Sequence, residues 1–242
     1  MKTPAKTTGS TIGVADLNTR DREQMFQLLS SHYLGVSRDT FERDLAAKEH
    51  VILLRSGEGE IAGFSTQVRF RMALPDRSVV AVFSGDTIVG ERHRGTFETA
   101  QQICRYFRRA LSDYSGEEIY WLLICKGWRT YRVLRLFFKD YAPRQNAADP
   151  SVFHEIADAF GASKYPARYD PATRLIVFPS ETQRIRPGSS EAIDPRRFDP
   201  DMRFFESANP QHERGNELVC VAPIREDNFT PAARRLAGYA EP

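Results

Sequence analysis

The chain contains only three cysteines, Cys104, Cys125 and Cys220, in 242 residues. Three widely spaced cysteines do not make a disulfide framework, and the absence of any Cys-x-x-Cys pair argues against a zinc site. The histidines also lack ligand-like spacing, so we expect no metal site. A reducing cytoplasm is the simplest environment for such a chain.

Long hydrophobic runs and a strong net charge are absent as well. Apolar stretches such as Val51–Leu54 are far shorter than the roughly 20 residues that cross a bilayer, and the residues after Met1 are polar. We therefore predict neither a signal peptide nor association with a membrane. Lys and Arg number 34 against 32 Asp and Glu, a net charge of +2. This balance excludes a protein that binds nucleic acid through its overall charge.

The composition that remains, with 41% hydrophobic residues, is that of an ordinary globular protein. The length allows one elaborated domain. Residues 1–10 are polar and are predicted to form a disordered tail, and residues 11–242 a single domain. Within it we expect a core at 11–145, followed by a less regular part at 146–242 that carries an insertion at about 179–216.

The core alternates between helical and strand periodicity. Two helices, capped by Asn18 or Thr19 and by Ser37, should precede a three-stranded antiparallel meander. A basic loop, an amphipathic helix, a buried parallel strand and a further helix should follow. The predicted strands are 11–14, 50–55, 61–72, 79–89, 118–125, 173–178 and 217–224, and the predicted helices include 97–114, 130–139 and 150–160, the last stopping at Gly161.

The loop before the amphipathic helix has the composition of an anion site. A helix N-terminus leaves about four backbone N–H groups unpaired and carries a partial positive charge. Gly95, just before the helix, lets a bulky anion approach the backbone. Arg92 and Arg94 add cationic side chains. A phosphate or pyrophosphate cradle and a solvated basic turn are both consistent with this loop.

The hexapeptide Arg92-His-Arg-Gly95-Thr-Phe97 resembles the Gln/Arg-x-x-Gly-x-Gly/Ala signature of the general-control N-acetyltransferase (GNAT) superfamily. The order of predicted elements around it is similar to that family's over residues 11–141 and, more loosely, 165–225. The resemblance implies an α/β (α+β) fold with a mixed, largely antiparallel twisted sheet flanked by helices. That sheet would splay open between two parallel central strands, which end at Val89 and Cys125.

The resemblance also implies an acyltransferase that uses acetyl-CoA or another acyl-CoA and a small-molecule primary amine as acceptor. Phe97 departs from the signature, and we expect its ring to point into the core, since otherwise it would crowd the cofactor. The positions that match are Arg92, Arg94, Gly95 and Thr96 for the pyrophosphate, and Ile88 and Val89 for the pantetheine arm.

Three residues are candidate general bases. Asp86 is flanked by apolar residues, and burial would raise its pKa. Its alternative role is to cap the turn at Ser84-Gly85. Glu91 and His93 lie nearer the basic loop, and an imidazole titrates in the useful range. An exposed surface position is the alternative for both.

In the family a tyrosine often protonates the departing thiolate. Phe138 stands near the usual position of that tyrosine. Tyr141 and Tyr131 are therefore the candidate general acids, and the alternative for each is an aromatic of the core or surface.

Two rival functions remain open at this level. One is an enzyme of the same fold that takes its acyl group from an acyl carrier protein or uses a long-chain donor. The arginines Arg105, Arg108 and Arg109 would dock an acidic carrier, contact the 3′-phosphate of CoA, or form a solvated face. The other rival is a catalytically silent binding module. The insertion at 179–216 is a candidate lid over the acceptor site, or alternatively an ornament or a dimer contact.

Overall fold

A computed structural model describes residues 6–145, 150–178, 183–186 and 199–240. These residues form one eight-stranded sheet, a two-stranded ribbon and helices that pack on the main sheet. The strands are β1 (Thr7–Gly13), β2 (Tyr33–Leu34), β3 (His50–Ser56), β4 (Ile61–Ala73), β5 (Ser78–Val89), β6 (Ile119–Cys125), β7 (Tyr169–Asp170), β8 (Leu175–Ile176), β9 (Arg184–Ile185) and β10 (Glu217–Pro223). The helices are α1 (Thr19–His32), α2 (Arg38–Ala46), α3 (Glu98–Asp113), α4 (Trp128–Phe137), α5 (Ser151–Lys164), α6 (Pro200–Ala208) and α7 (Pro231–Ala237).

The main sheet has the order β1-β3-β4-β5-β6-β10-β8-β7. Every neighbouring pair in it is antiparallel except β5 and β6, which are parallel. The predicted meander β3-β4-β5 and the predicted parallel strand are therefore confirmed. The fold is the mixed, largely antiparallel GNAT-like arrangement that the resemblance implied.

Successive side chains of a strand point to opposite faces of the sheet, so the apolar core is divided between the two faces. On β5, Val80 and Val82 belong to the cluster that includes α3, α4 and α7, whereas Val79 and Ala81 belong to the cluster that includes α5. A third cluster lies where α1 and α2 cover β3 and β4, around Phe64. All three cysteines are buried, and none of them forms a disulfide within the described part of the chain.

The predicted helix caps form as expected. Asn18 Oδ1 accepts a hydrogen bond from the Asp21 N–H at 2.8 Å, and Ser37 Oγ accepts one from the Thr40 N–H at 3.2 Å. Each side chain satisfies a backbone donor that the first helical turn leaves free.

Several predicted boundaries are wrong. Residues 7–10 are not a disordered tail, because β1 begins at Thr7 and pairs with β3 up to Gly13, which satisfies its backbone. Gly161 does not stop α5, which continues to Lys164. A Cβ at Gly161 would lie 2.3 Å from the Tyr169 ring. The missing side chain therefore lets this ring pack directly against the backbone of α5.

The late part of the chain packs on the core. The predicted strand at 173–178 is reduced to β8, and the predicted helix at 130–139 begins earlier, at Trp128. Within the stretch 179–216, β9 pairs with β2, and α6 buries Phe205 in the core beside α4. Residues 179–182 and 187–198 of the candidate lid lie outside the described residues.

In the described ranges, no helix is long and apolar enough to span a bilayer. The same part of the chain contains no group of three His, Cys, Asp or Glu side chains placed to hold a metal ion.

Candidate functional site

The two parallel strands separate halfway along their length. Pairing between β5 and β6 runs only from Val80 opposite Ile119 to Ser84 opposite Leu123. Beyond Ser84, β5 continues to Val89 on β4, and β6 continues to Cys125 on β10. The sheet therefore opens between the strand ends, as the resemblance implied.

A β-bulge lies where the strands part. Ser84 pairs with Gln67 and Thr87 with Ser65, so two residues of β5, Gly85 and Asp86, stand opposite one residue of β4. Such a bulge bends its strand and redirects a side chain. A Cβ at Gly85 would lie 2.6 Å from the Oγ1 of the opposing threonine, so only glycine fits here.

The loop after β5 presents free donors at the start of α3. Gly95 has a φ of +88°, and nothing lies within 4 Å of the position its Cβ would take. No acceptor within the described residues is paired with the backbone N–H groups of Gly95, Thr96 or Phe97. The Oγ1 atoms of Thr96 and Thr99 are also buried and have no hydrogen-bond partner in the described ranges. This donor set fits a phosphate or diphosphate group.

The end of β5 faces the opening. The Gly90 N–H donates to Ala62 O at 2.8 Å, towards β4. Because hydrogen-bonding direction alternates along a strand, Val89 points the other way, and its carbonyl accepts a long hydrogen bond from Arg94 Nε at 3.4 Å. Arg94 also lies 3.5 Å from Glu91 Oε1. The loop therefore closes onto the strand end.

A cavity of about 330 Å³ occupies the opening, and we call it the cleft pocket. Its outer end carries the loop and the α3 N-terminus, and its inner wall is apolar. Polar and loop positions include Arg94, Gly95, Thr96 and Thr99, and the inner wall includes Ile103, Trp121, Leu123 and Phe137. Ile88 and Val89 line it as well, so the structure brings these two together with most of the predicted cofactor-binding residues.

A second cavity, of about 560 Å³, lies on the other side of the parted strands, and we call it the polar pocket. Asp86 lines it, together with Lys48 from the end of α2 and Lys126 from the end of β6. Thr87 and Thr130 line both cavities. The two pockets therefore meet beside the bulge.

The Asp86 side chain lines the polar pocket. Within the described residues its carboxylate forms no hydrogen bond or ion pair, so the alternative role as a cap of Ser84-Gly85 is not observed. Burial raises the pKa of Asp86, while the charges of Lys126 and Lys48 act in the opposite direction. The net effect is a raised pKa, so this carboxylate binds a proton more readily than an ordinary aspartate.

Other predicted residues lie outside the pockets. Glu91 and Arg92 are exposed in a short 3₁₀ turn, and neither lines the cleft pocket. Phe97 does not point into the core, because it is 75% exposed at the N-cap of α3, where its ring projects to solvent rather than into the cleft. His93 is half-buried, and its Nδ1 has no hydrogen-bond partner in the part of the chain that the structure describes.

The two candidate tyrosine acids form a buried pair in the core. The rings of Tyr131 and Tyr141 lie 6.4 Å apart, and the Tyr131 hydroxyl donates to Pro143 O at 2.9 Å. Burial raises the pKa of both hydroxyls. Neither residue lines either pocket, so the structure does not bring them to the bulge.

The basic face of α3 is partly used inside the protein. Arg108 donates to Ala237 O at 3.2 Å and to Gly238 O at 2.7 Å, which binds α3 to the C-terminal end of α7. Arg109 lies 3.8 Å from Asp113. A role of this face in binding an acyl carrier protein stays a prediction.

Sequence reasoning missed three residues of the site. Thr99 could have been found from its place in the first turn of α3, three residues after Thr96. His32 lines the cleft pocket, and burial together with the charge of Arg94 lowers its pKa. Lys48 reaches the bulge from the segment between α2 and β3, with its Cε 2.8 Å from the position a Cβ on Gly85 would take. Nothing in the local sequence signals those last two positions.

No protein family matches the sequence, and no curated protein matches it either. Solved structures to which the chain is similar include a protein of Enterococcus faecalis described as a probable N-acyltransferase, with 10% identity, 57% of this chain covered and a TM-score of 0.42. The chain spans 33% of the length of that protein.

Two further solved structures contain CoA or myristoyl-CoA. The first is the GNAT family N-acetyltransferase YhbS of Escherichia coli in complex with CoA, with 11% identity, 57% of this chain and 72% of that chain covered and a TM-score of 0.40. The second is the N-myristoyltransferase of Saccharomyces cerevisiae with bound myristoyl-CoA, with 17% identity, 51% and 32% covered and a TM-score of 0.37.

Four features of this chain define its fold. They are the strand order of the main sheet, the parallel pair β5 and β6, the separation of that pair after Ser84, and the loop before α3. By these features the chain has a GNAT-like fold, with a pocket on each side of its parted strands.

Proposed function

We propose that this protein is an acyltransferase that moves an acyl group, most simply acetyl, from an acyl-CoA to the primary amine of a small molecule. One observation carries the proposal. A cleft with free backbone N–H groups at one end meets a polar pocket at Thr87 and Thr130, beside the Asp86 carboxylate, which has no partner among the described residues.

The donor would occupy the cleft pocket. The free N–H groups at Gly95 and Thr96, the hydroxyls of Thr96 and Thr99, and the Arg94 guanidinium would hold its diphosphate. The backbone of Val89, which faces the cleft, would pair with the amide groups of the pantetheine arm. Together these contacts direct the thioester inward, towards the bulge.

The acceptor amine would enter from the polar pocket. The acyl donor supplies an electrophilic carbonyl. Asp86 would take a proton from the amine, the new C–N bond would form as the C–S bond breaks, and the departing thiolate would end as a thiol by taking up one proton. A carboxylate whose pKa burial raises is suited to this role, because it binds a proton more readily than an ordinary aspartate.

Calorimetric titration and a turnover assay test the proposal. The full chain would be titrated with acetyl-CoA, hexanoyl-CoA, dodecanoyl-CoA and free CoA, and free thiol would then be measured after mixing with a set of primary amines. We expect saturable binding and amine-dependent thiol release, with the amide product seen by mass spectrometry. Absence of binding to every CoA compound, or binding without any amine-dependent release, would contradict it.

A further inference from the structure

The polar pocket has an uneven distribution of charge. Its lining includes five basic residues, Arg43, Lys48, Lys126, Lys164 and Arg168, and three acidic residues, Asp44, Asp86 and Glu217. Lys126 and Glu217 neutralise one another, because Nζ lies 3.0 Å from Oε1 and the side chains are only 13% and 9% exposed. This pair is already matched and needs no ligand.

The other cations of the pocket lack such a match. Within the described ranges, no carboxylate lies in ion-pair distance of Lys48, Lys164 or Arg168. Lys48 Nζ is hydrogen-bonded to the Asp44 carbonyl at 3.0 Å. Lys164 lies over an aromatic ring at 5.2 Å and Arg168 over another at 5.0 Å. Asp44 and Asp86 lie in the same lining, but among the described residues neither forms an ion pair with any of these three cations.

Burial and the neighbouring charge of Lys164 lower the pKa of Lys48, while Asp86 and Asp44 act to raise it. The net lowering means that the Lys48 ammonium is poorly compensated within the protein. An anion placed between Lys48 and Lys164 would supply what the protein itself lacks.

Resting on the proposed function, we infer that the acceptor carries a primary amine at one end and an anionic group, a carboxylate or a phosphate, at the other. The amine end lies at Asp86, where the two pockets meet, and the anionic end lies among Lys48, Lys164 and Arg168. The Asp86 carboxylate at one end and the unmatched cations at the other end of the pocket are complementary to such a molecule.

Other amine classes fit this charge pattern less well. A diamine would place its second ammonium beside the lysines, where like charges repel. A simple alkylamine would leave Lys48 and Lys164 uncompensated. The pocket therefore discriminates between amines through the group at the far end from the reacting nitrogen.

Binding of defined small molecules tests this inference without any acyl transfer. The full chain would be titrated calorimetrically with ω-amino carboxylates from glycine to 6-aminohexanoate and with O-phosphoethanolamine and 3-aminopropyl phosphate. n-Butylamine and 1,4-diaminobutane are the comparison ligands. We expect at least one amino acid or amino phosphate to bind about ten-fold or more tightly than both comparison amines. The stronger of the two anionic series identifies the anion.

Variants assign the effect to the pocket. Lys48→Met and Lys164→Met should each weaken binding of the best anionic ligand by about ten-fold, since each removes a charge-assisted contact. Lys164 is exposed, so its variant tests the site even if Lys48→Met folds poorly. Lys139→Met is the matched control, because Lys139 lies outside the pocket with Nζ on the Asp227 carbonyl, and it should change nothing.

The outcomes separate this inference from the proposed function. If alkylamines or diamines bind as well as the anionic ligands, if none of the probes binds, or if both lysine variants bind normally, the inference is wrong although acyl transfer can still be observed. If the anionic amines bind as expected but no acyl-CoA binds, the acceptor class stands and the proposed function is wrong.

Discussion

Thr87 on β5 and Thr130 on α4 line both the cleft pocket and the polar pocket. The two residues come from elements that the parting of β5 and β6 holds on opposite sides of one opening. The two pockets therefore adjoin at these two side chains.

A bulky side chain at this junction should block transfer. Thr130→Tyr is expected to lower kcat by about 100-fold, since small misplacements of reacting groups have effects of this size. Acyl-CoA affinity should fall much less, because the diphosphate contacts lie at the other end of the cleft. Thr130→Ser should keep nearly full activity. Single-turnover measurements report the chemical step directly, and a fully active Tyr variant would show that the junction is not the reaction site.

Removing the candidate base should slow the reaction strongly. Asp86→Asn is expected to reduce kcat by about 10²- to 10⁴-fold, the usual contribution of a positioned general base. In the unaltered protein the rate should rise with pH as Asp86 ionises, at a pH above the ordinary aspartate range because burial raises its pKa. The Asn variant should lose that rising limb. A rate–pH profile that is the same in both proteins would assign the limb to another group.

The same substitution should stabilise the folded protein. The pKa of Asp86 is raised in the folded state, so folding favours the protonated carboxyl group. The protonated group therefore contributes stability that is fully present below the unfolded pKa. This contribution is lost as the pH rises through the folded pKa. Asp86→Asn keeps an uncharged group at every pH. Its Tm should therefore exceed that of the unaltered protein at pH 8, and the difference should shrink towards pH 4. Thermal unfolding across this range measures the effect, and a lower Tm at pH 8 would contradict the assigned environment.

The loop glycine can be tested against a glycine of the same conformation. Gly95→Trp should weaken acyl-CoA binding by more than about 1.4 kcal/mol, a factor of about ten, without unfolding the protein. Gly59 has a φ of +82°, against +88° at Gly95, and neither has an atom within 4 Å of its Cβ position. Gly59→Trp therefore carries the same backbone strain away from the cleft. Equal affinities in the two variants, measured by calorimetry, would refute the assignment of the loop.

The buried hydroxyl of Thr99 gives a subtler test. Thr99→Val keeps the shape of the side chain and removes a buried oxygen that has no partner among the residues the structure describes. Acyl-CoA affinity should fall about ten-fold, the loss expected for a hydrogen bond to a charged group. The Tm without ligand should stay level or rise, since an unsatisfied polar atom is gone. Unchanged affinity would remove Thr99 from the diphosphate site.

A substitution at Gly161, which lines neither pocket, tests the packing of α5. In a helix interior alanine is normally preferred to glycine by about 1 kcal/mol. At Gly161, however, a Cβ would overlap the Tyr169 ring at 2.3 Å, so Gly161→Ala should destabilise the protein by about 1–3 kcal/mol. Denaturant unfolding measures this. In a Tyr169→Ala background the same change should be neutral or stabilising, and a loss that persists there would point to another cause.

Much of the architecture could be read from local sequence. Asn18 and Ser37 are helix caps, and the alternation of apolar residues in β3, β4 and β5 predicts the meander, because caps and side-chain periodicity act over a few neighbouring residues. The early start of β1 and the continuation of α5 through Gly161 could not be read in this way. Pairing with β3 decides the first, and contact with Tyr169 decides the second.

The candidate site shows the same division. The basic loop, Gly95 and the strand end at Val89 are contiguous in sequence, and they lie together in the structure. Position along the chain makes Tyr131 and Tyr141 candidate acids, but tertiary packing buries both in the core. The sequence predicts a buried Phe97, whereas its ring is exposed, since the start of α3 lies at the surface there.

The sequence by itself determined the order and type of the main elements and the presence of a glycine-bearing basic loop before α3. Only the tertiary structure decided that β5 and β6 part after Ser84, that the bulge turns Asp86 to one side of the opening, and that Lys48 and Lys164 reach the same pocket from distant segments. The reason is physical: periodicity and capping depend on residues a few positions apart, whereas a pocket depends on side chains that meet only when the whole sheet has formed.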